Sequence, residues 1–370
     1  MKLIIKRHSF QKLVESIYQV IPPQTSEPCF KNFLLTVTDE QVELLGSDGS
    51  LSIKGILKLD DEDTPVINSD PGSVQIPAKY FLDIIRKLES DIVSIELIDE
   101  AMVYISDENS HFKLNTSKAE EYPDLDMSVD NHDEITLKTQ DFQDLYDATS
   151  FAVATKGPRE LFCGINIQAK DGKLTFVATD SFRLARKYVR IEGDPQISIT
   201  VPSKALQIVS HFADFEEMNI KVSSNKVLFT IGNFIIASKL YNGEFPNVDR
   251  IIPTNTSYRL NVNSREFINA IERITIVGNT KILVNAYEGG CEISSKDINI
   301  GSSKETLKDC EFKGDRFSII FNANYVMEAV KALDSERVTL AFAAENRAFL
   351  VKSDDTTVTQ VITPIRSLDN

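Results

Sequence analysis

The chain has 370 residues, 42% of them hydrophobic and 26% charged, with only 15 glycines and 13 prolines. That composition excludes collagen-like, low-complexity and wholly disordered chains, and at roughly 100–200 residues per domain the length predicts two to four domains. Forty Lys and Arg against 55 Asp and Glu give a net charge of −15, which argues against a compact reader of bare DNA unless the basic residues are gathered on one face.

From the amino end, Met1-Lys2-Leu3-Ile4-Ile5-Lys6-Arg7 is interrupted by charge too early for a signal-peptide core, and it reads as an edge strand. No later run approaches the roughly 18 apolar residues of a membrane span. Cys29, Cys163, Cys291 and Cys310 are scattered, with no CxxC pair and no His at metal spacing. The expectation is a cytoplasmic chain with reduced thiols, no metal and no cofactor.

A strand followed by a helix then occurs three times. The copies are Val74–Ile85, Ile199–Val209 and Ile319–Val330, anchored on Pro77, Pro202 and Asn322, with periods of 125 and 120 residues. Proline in the first helical turn of two copies predicts a sharp helix start. A second helix repeats in the same order, at Ser9-Phe10, Asp141-Phe142 and Glu266-Phe267, with one apolar stripe at helical spacing. A hairpin-like strand pair follows each, running into Asp48, Asp180 and Asp297. Glu121-Tyr122-Pro123 and Glu244-Phe245-Pro246 repeat as exits. Boundaries are therefore expected near 127 and 253. Each of 1–127, 128–253 and 254–370 is predicted as an α+β domain of two helices and about eight antiparallel strands.

Charge is uneven among the repeats. Residues 1–127 hold 12 basic and 23 acidic side chains, a net of −11; residues 128–253 and 254–370 each hold 14 and 16, a net of −2. Equivalent helices of all three repeats nonetheless carry Lys or Arg. The expected basic set is Lys12, Lys79, Arg86, Lys204, Arg265 and Lys331, with Lys156 and Arg159 beside it.

Three segments then carry a resemblance. They are Ala178-Thr179-Asp180-Ser181-Phe182-Arg183-Leu184-Ala185, Gly243 through Pro253, and Thr363-Pro364-Ile365-Arg366. In this order on a triplicated chain they resemble the bacterial DNA polymerase III beta subunit, the sliding clamp, over 1–366. The resemblance implies three clamp domains per chain, closing as a ring-shaped head-to-tail homodimer around duplex DNA, with Lys12, Lys79, Arg86, Lys156, Arg159, Lys204, Arg265 and Lys331 facing the DNA. It implies no catalysis. The ring tethers the replicative polymerase, is loaded by an ATP-dependent clamp loader, and gives processivity through weak, sequence-blind phosphate contacts.

The resemblance also implies a groove for a short clamp-binding peptide of polymerases and the loader. Its positions here are Phe162, Thr179, Ser181, Phe182, Arg183 and Leu184; Pro246, Arg250 and Ile251; Asn346 and Ala348; and Thr363, Pro364, Ile365 and Arg366. Leu184, Pro246, Ile251, Pro364 and Ile365 are expected to floor it. The dimer joint is expected at Phe112 on one side and at Ile276 and Val277 on the other. Ser181-Phe182 departs from the family's Gly or Ser followed by His, and Thr363 and Asn346 stand where apolar residues are usual.

Other readings have less to stand on. Asp60-Asp61-Glu62-Asp63 reads as a solvated loop, not a catalytic carboxylate pair, and Thr155-Lys156-Gly157-Pro158 lacks the phosphate-loop spacing. A divergent accessory clamp for repair, a plasmid or resistance, and a protein-binding repeat scaffold without DNA, are the alternatives.

Overall fold

The same order of period-2 strands and period-3.6 helices recurs three times, and the computed structural model, which describes residues 1–99, 101–129 and 133–366, follows it. The first repeat comprises β1 (Lys2–Lys6), α1 (Arg7–Tyr18), β2 (Asn32–Val37), β3 (Gln41–Ser47), β4 (Leu51–Lys58), β5 (Val66–Asp70), β6 (Gly72–Pro77), α2 (Ala78–Lys87), β7 (Ile92–Ile98), β8 (Met102–Ser106) and β9 (His111–Asn115). The second comprises β10 (Asp133–Lys138), α3 (Thr139–Asp147), β11 (Gly164–Lys170), β12 (Lys173–Thr179), β13 (Arg183–Arg190), β14 (Ile197–Pro202), α4 (Ser203–Ser210), β15 (Glu217–Val222), β16 (Lys226–Ile231) and β17 (Phe234–Lys239). The third comprises β18 (Tyr258–Asn263), α5 (Ser264–Thr275), β19 (Lys281–Tyr287), β20 (Gly290–Asp297), β21 (Gly301–Leu307), β22 (Cys310–Lys313), β23 (Phe317–Asn322), α6 (Ala323–Ala332), β24 (Arg337–Phe342), β25 (Phe349–Lys352) and β26 (Val358–Ile362). The class is α+β with antiparallel sheets.

Two compact units result, and the division falls inside the second repeat. One holds Met1–Thr139 and Ala205–Leu240; the other holds Gln140–Lys204 and the chain from Tyr241 onward. The reason is strand pairing. In the first unit β4 pairs with β17, so strands of repeats one and two form one eight-stranded sheet, β10-β15-β16-β17-β4-β3-β2-β6. In the second unit β13 pairs with β26, giving a nine-stranded sheet, β14-β11-β12-β13-β26-β25-β24-β18-β22. Each unit also has a sheet of its own: β5-β1-β7-β8-β9 in the first, β21-β20-β19-β23 in the second.

Three local expectations need correction. β1 is not an edge strand: it pairs with both β5 and β7. Pro77 and Pro202 end their strands immediately before α2 and α4 instead of entering the first turn, where a proline's fixed φ and missing N–H suit the junction equally. The Phe-bearing helices start two residues before Ser9, Asp141 and Glu266; in the third, Asn263 is the cap, its Oδ1 accepting from the Glu266 amide at 3.0 Å.

Each core is organised by the repeated phenylalanines. In the first unit Phe10 and Phe33 both meet Phe81 edge to face, at 6.0 and 6.2 Å between ring centroids. The glycines beneath α1 permit this approach, since a Cβ on Gly55 would stand 2.8 Å from Leu13 Cδ1. In the second unit Phe267 lies fully buried with Ile271, Ile293 and Phe321. Replacing Phe267 with Ala removes a whole ring from a core that cannot collapse around it. The expected cost is about 3–5 kcal/mol, read as a lower urea midpoint at unchanged slope.

Candidate functional site

The site is built on the β13–β26 pairing, wholly within the second unit. Register places Leu184 opposite Val361 and Arg183 opposite Ile362. Thr363 extends the join, its amide and its hydroxyl each donating to the Phe182 carbonyl at 2.8 Å. Leu184 and Val361 are then buried with Phe162, Val177, Phe245 and Val248 in one small apolar cluster. Above that cluster opens a cavity of about 930 Å³.

The wall comes from four separate stretches of chain. The β12–β13 hairpin gives Thr179, Ser181, Phe182, Arg183 and Leu184; the segment leading to the third repeat gives Pro246, Asn247, Val248, Arg250 and Ile251; the β24–β25 loop gives Ala343, Ala344, Arg347 and Ala348; and the short turn before β11 gives Arg159 and Phe162. Val361 and Thr363 close it.

The hairpin tip is held by its own side chains. Asp180 Oδ1 accepts from the Phe182 and Arg183 amides at 2.9 and 3.0 Å, and the Thr179 hydroxyl donates to the Arg183 carbonyl at 2.7 Å. This turn forces Ser181 to φ +80°, in the left-handed region that disfavours a side chain. Arg183 is fully engaged. It pairs with Asp180 at 3.0 Å and with Glu328, and its guanidinium lies 4.6 Å from the ring centre of Tyr325. Phe182 stacks on the same tyrosine at 6.3 Å, its ring 57% exposed at the cavity mouth. Burial first, and Asp180 second, hold the Tyr325 hydroxyl above its usual pKa, so it stays neutral.

Eleven of the expected groove residues line this cavity: Phe162, Thr179, Ser181, Phe182, Arg183, Leu184, Pro246, Arg250, Ile251, Ala348 and Thr363. Asn346, Pro364, Ile365 and Arg366 do not. Beyond Thr363 the chain is held to β23, the Ile365 amide donating to the Ile320 carbonyl at 2.7 Å. The floor is accordingly Leu184, Val248 and Val361 instead of Pro364 and Ile365. Val248, Val361 and Arg347 were not legible, since only long-range pairing brings them here. Arg159, expected with the basic helices, stands on the groove wall with its guanidinium 5.5 Å from the Phe162 ring centre.

The other expected basic residues are exposed. Lys12, Lys79, Arg86, Lys204, Arg265 and Lys331 sit on α1, α2, α4, α5 and α6, and Lys156 precedes β11. Arg86 is already paired with Glu15 at 2.7 Å, and the hydrogen bond it donates, with a second from Gln11, holds that carboxyl below its ordinary pKa; Lys331 lies 3.5 Å from Glu272. Phe112 is half-buried on β9. Ile276 is 77% exposed just after α5, with Val277 half-buried beside it. Ile298 and Ile300, at the β20–β21 turn, are 94% and 70% exposed. Apolar residues alternating through a turn, Asp297-Ile298-Asn299-Ile300-Gly301, were the signal that would have found them. Among the described residues no group of His, Cys, Asp or Glu is gathered to hold a metal ion, and no helix is long and apolar enough to cross a membrane.

Three copies of one α+β domain, joined by shared sheets and carrying a preformed apolar groove, define a clamp-type repeat protein. The domains of the DNA polymerase III beta subunit match in order: the N-terminal domain over residues 1–126, the central domain over 136–247 and the C-terminal domain over 249–366. The beta sliding clamp of Staphylococcus epidermidis is 32% identical over 376 aligned positions, covering 99% of this chain and all of the relative; that of Staphylococcus aureus is 31% identical over the same span. The crystal structure of the DNA polymerase sliding clamp from Bacillus subtilis superposes with a TM-score of 0.94 at 27% identity, covering 99% of both chains. The Pseudomonas aeruginosa beta subunit, at 24% identity and 0.93, shares the fold. The chain belongs to the bacterial DNA polymerase III beta subunit family. Its function is that of a DNA sliding clamp, a processivity factor without catalysis of its own.

Glycine at position 181 would adopt φ +80° without steric cost. Ser181→Gly is expected to stabilise the protein by about 0.5–1 kcal/mol, the relief of left-handed strain less the entropy glycine adds to the unfolded chain. Chemical denaturation measures it.

Proposed function

We propose that two copies of this chain join head to tail into a closed ring around duplex DNA, and that the groove on Leu184, Val248 and Val361 docks short peptides of the polymerase and the clamp loader. The domains are read as 1–127, 128–253 and 254–370, and the site of action as the cytoplasm.

One observation carries the ring. By position in their repeats, β4, β13 and β21 are equivalent, and so are β9, β17 and β26. Two of the three possible pairs form within the chain, β4 with β17 and β13 with β26. The remaining two strands, β9 and β21, are both edges of their sheets. A long open edge invites pairing. A second copy offering β21 to β9 and β9 to β21 satisfies both edges at once by two-fold symmetry. Each new join makes five plus four strands into one sheet, the size of the nine-stranded sheet already present. Phe112 lies on β9, while Ile276, Val277, Ile298 and Ile300 lie beside β21.

On this reading the exposed lysines and arginines of the helices face the duplex. Their contacts reach phosphates and read no bases, so binding is weak, mobile and lost in salt. The topological link, not a tight bond, keeps the partner polymerase at high effective concentration.

Two measurements test this. Light scattering at micromolar concentration is expected to give about 83 kDa, twice the 41.5 kDa chain. Changing Ile276, Ile298 and Ile300 to Asp is expected to give folded monomers, because unpaired charge buried in a joint costs several kcal/mol. A wild-type monomer at that concentration would overturn the ring. For the groove, an extended peptide with an apolar anchor is expected to bind with micromolar affinity, the anchor contributing about 1.5–3 kcal/mol. Ile251→Asp at the exposed rim is expected to weaken it about tenfold or more by calorimetry; unchanged affinity would refute the assignment.

A further inference from the structure

The groove wall is basic on an acidic protein. The chain carries 15 more acidic than basic residues, yet the wall holds four arginines and no Asp, Glu or Lys. Arg183 is neutralised by Asp180 and Glu328. Arg159, Arg250 and Arg347 are exposed and make no ion pair among the described residues. Of the carboxylates adjacent in sequence, Asp249 Oδ1 accepts from Arg186 Nη1 at 2.7 Å and Glu345 Oε1 accepts from the Ser318 amide at 3.3 Å, while Glu160 is exposed beside Arg159 without an ion pair to it. Three guanidiniums drawn from three different stretches of chain therefore line one cavity without a salt bridge among the described residues.

We propose that the groove selects peptides whose apolar anchor is flanked by carboxylates, with Arg159, Arg250 and Arg347 as the selecting residues. The inference rests on the reading of the groove as a docking site and adds the charge of its occupant. Guanidiniums suit the task, since each presents a planar fork of donors that matches a carboxylate. Arg159 is held in place by the Phe162 ring beneath it, which lowers the ordering it must undergo on binding. The chain as a whole carries a net charge of −15, which disfavours approach of an acidic segment except where cations gather, as they do at the groove.

The test uses the full-length protein and two fluorescein-labelled six-residue peptides with identical apolar anchors. One carries Asp at the flanking positions and the other Asn. Anisotropy titrations at low and high ionic strength read both affinities. At low salt the Asp peptide is expected to bind about tenfold more tightly, about 1.4 kcal/mol, shared over several exposed charge pairs. That ratio is expected to shrink at high salt, and to fall toward one when Arg159, Arg250 and Arg347 are changed together to Gln, with the melting curve confirming the fold. Equal binding of both peptides to the wild-type protein overturns the inference and leaves the docking site standing. Failure of both peptides to bind overturns the docking site as well. A ratio that survives the triple change shows that other groups select charge, and also overturns the assignment.

Discussion

The pairing of β13 with β26 is the constraint on which the rest of the second unit depends. It joins residues 183–187 to residues 358–362 across most of two repeats. Without it Leu184 and Val361 would have no common neighbour, the cluster beneath the groove would not close, and the four walls would not meet. The pairing of β4 with β17 plays the same part in the first unit. Both joins are made by main-chain hydrogen bonds, which ask for an alternating pattern and not for particular side chains. This accounts for a TM-score of 0.94 to a structure with only 27% identity. The ladder tolerates substitution, and packing needs only apolar residues of suitable volume on the inward face.

The repeat was legible because it is local. Period-2 strands, period-3.6 helices and the three buried phenylalanines Phe10, Phe142 and Phe267 lie within short windows, and their order reads straight off the chain. The errors were made where a neighbour distant in sequence decides. β1 looks like an edge strand from its charged ends, yet β5 and β7 flank it on both sides. The groove was half legible. The Thr179–Leu184 turn and the 246–251 segment carry distinctive residues, whereas Val248 and Val361 are ordinary strand and loop residues until the sheet assembles. Pro364 and Ile365 were expected in the floor from the family resemblance; they are not among the residues lining the cavity, and the Ile365 amide is bonded to Ile320.

Charge is distributed in the same divided way. The first repeat carries a net −11 and the other two −2 each, so the acidic excess is not shared evenly. Several helix cations are already tempered by neighbours, as Arg86 is by Glu15 and Arg273 by Glu305. Such exposed pairs contribute little to stability. On the proposed ring reading they reduce how strongly the helices hold phosphate, and a protein that slides needs contacts that are individually weak.

The groove separates what it needs for stability from what it needs for specificity. Its floor, Leu184, Val248 and Val361, is buried and belongs to the core, so a change there costs folding as well as binding. Its rim, Phe182, Arg250, Ile251 and Arg347, is exposed and contributes little to the fold. Substitutions can accumulate on such a rim at small cost and alter only what docks. The residues expected from the resemblance to depart from the family pattern fall at or near this rim: Phe182 lies against Tyr325 at the mouth, Thr363 on the wall, and Asn346 next to Arg347 in the exposed β24–β25 loop. On the docking reading, the physics of the site thus permits one backbone to keep a common floor while the surrounding side chains, and with them the accepted peptides, diverge.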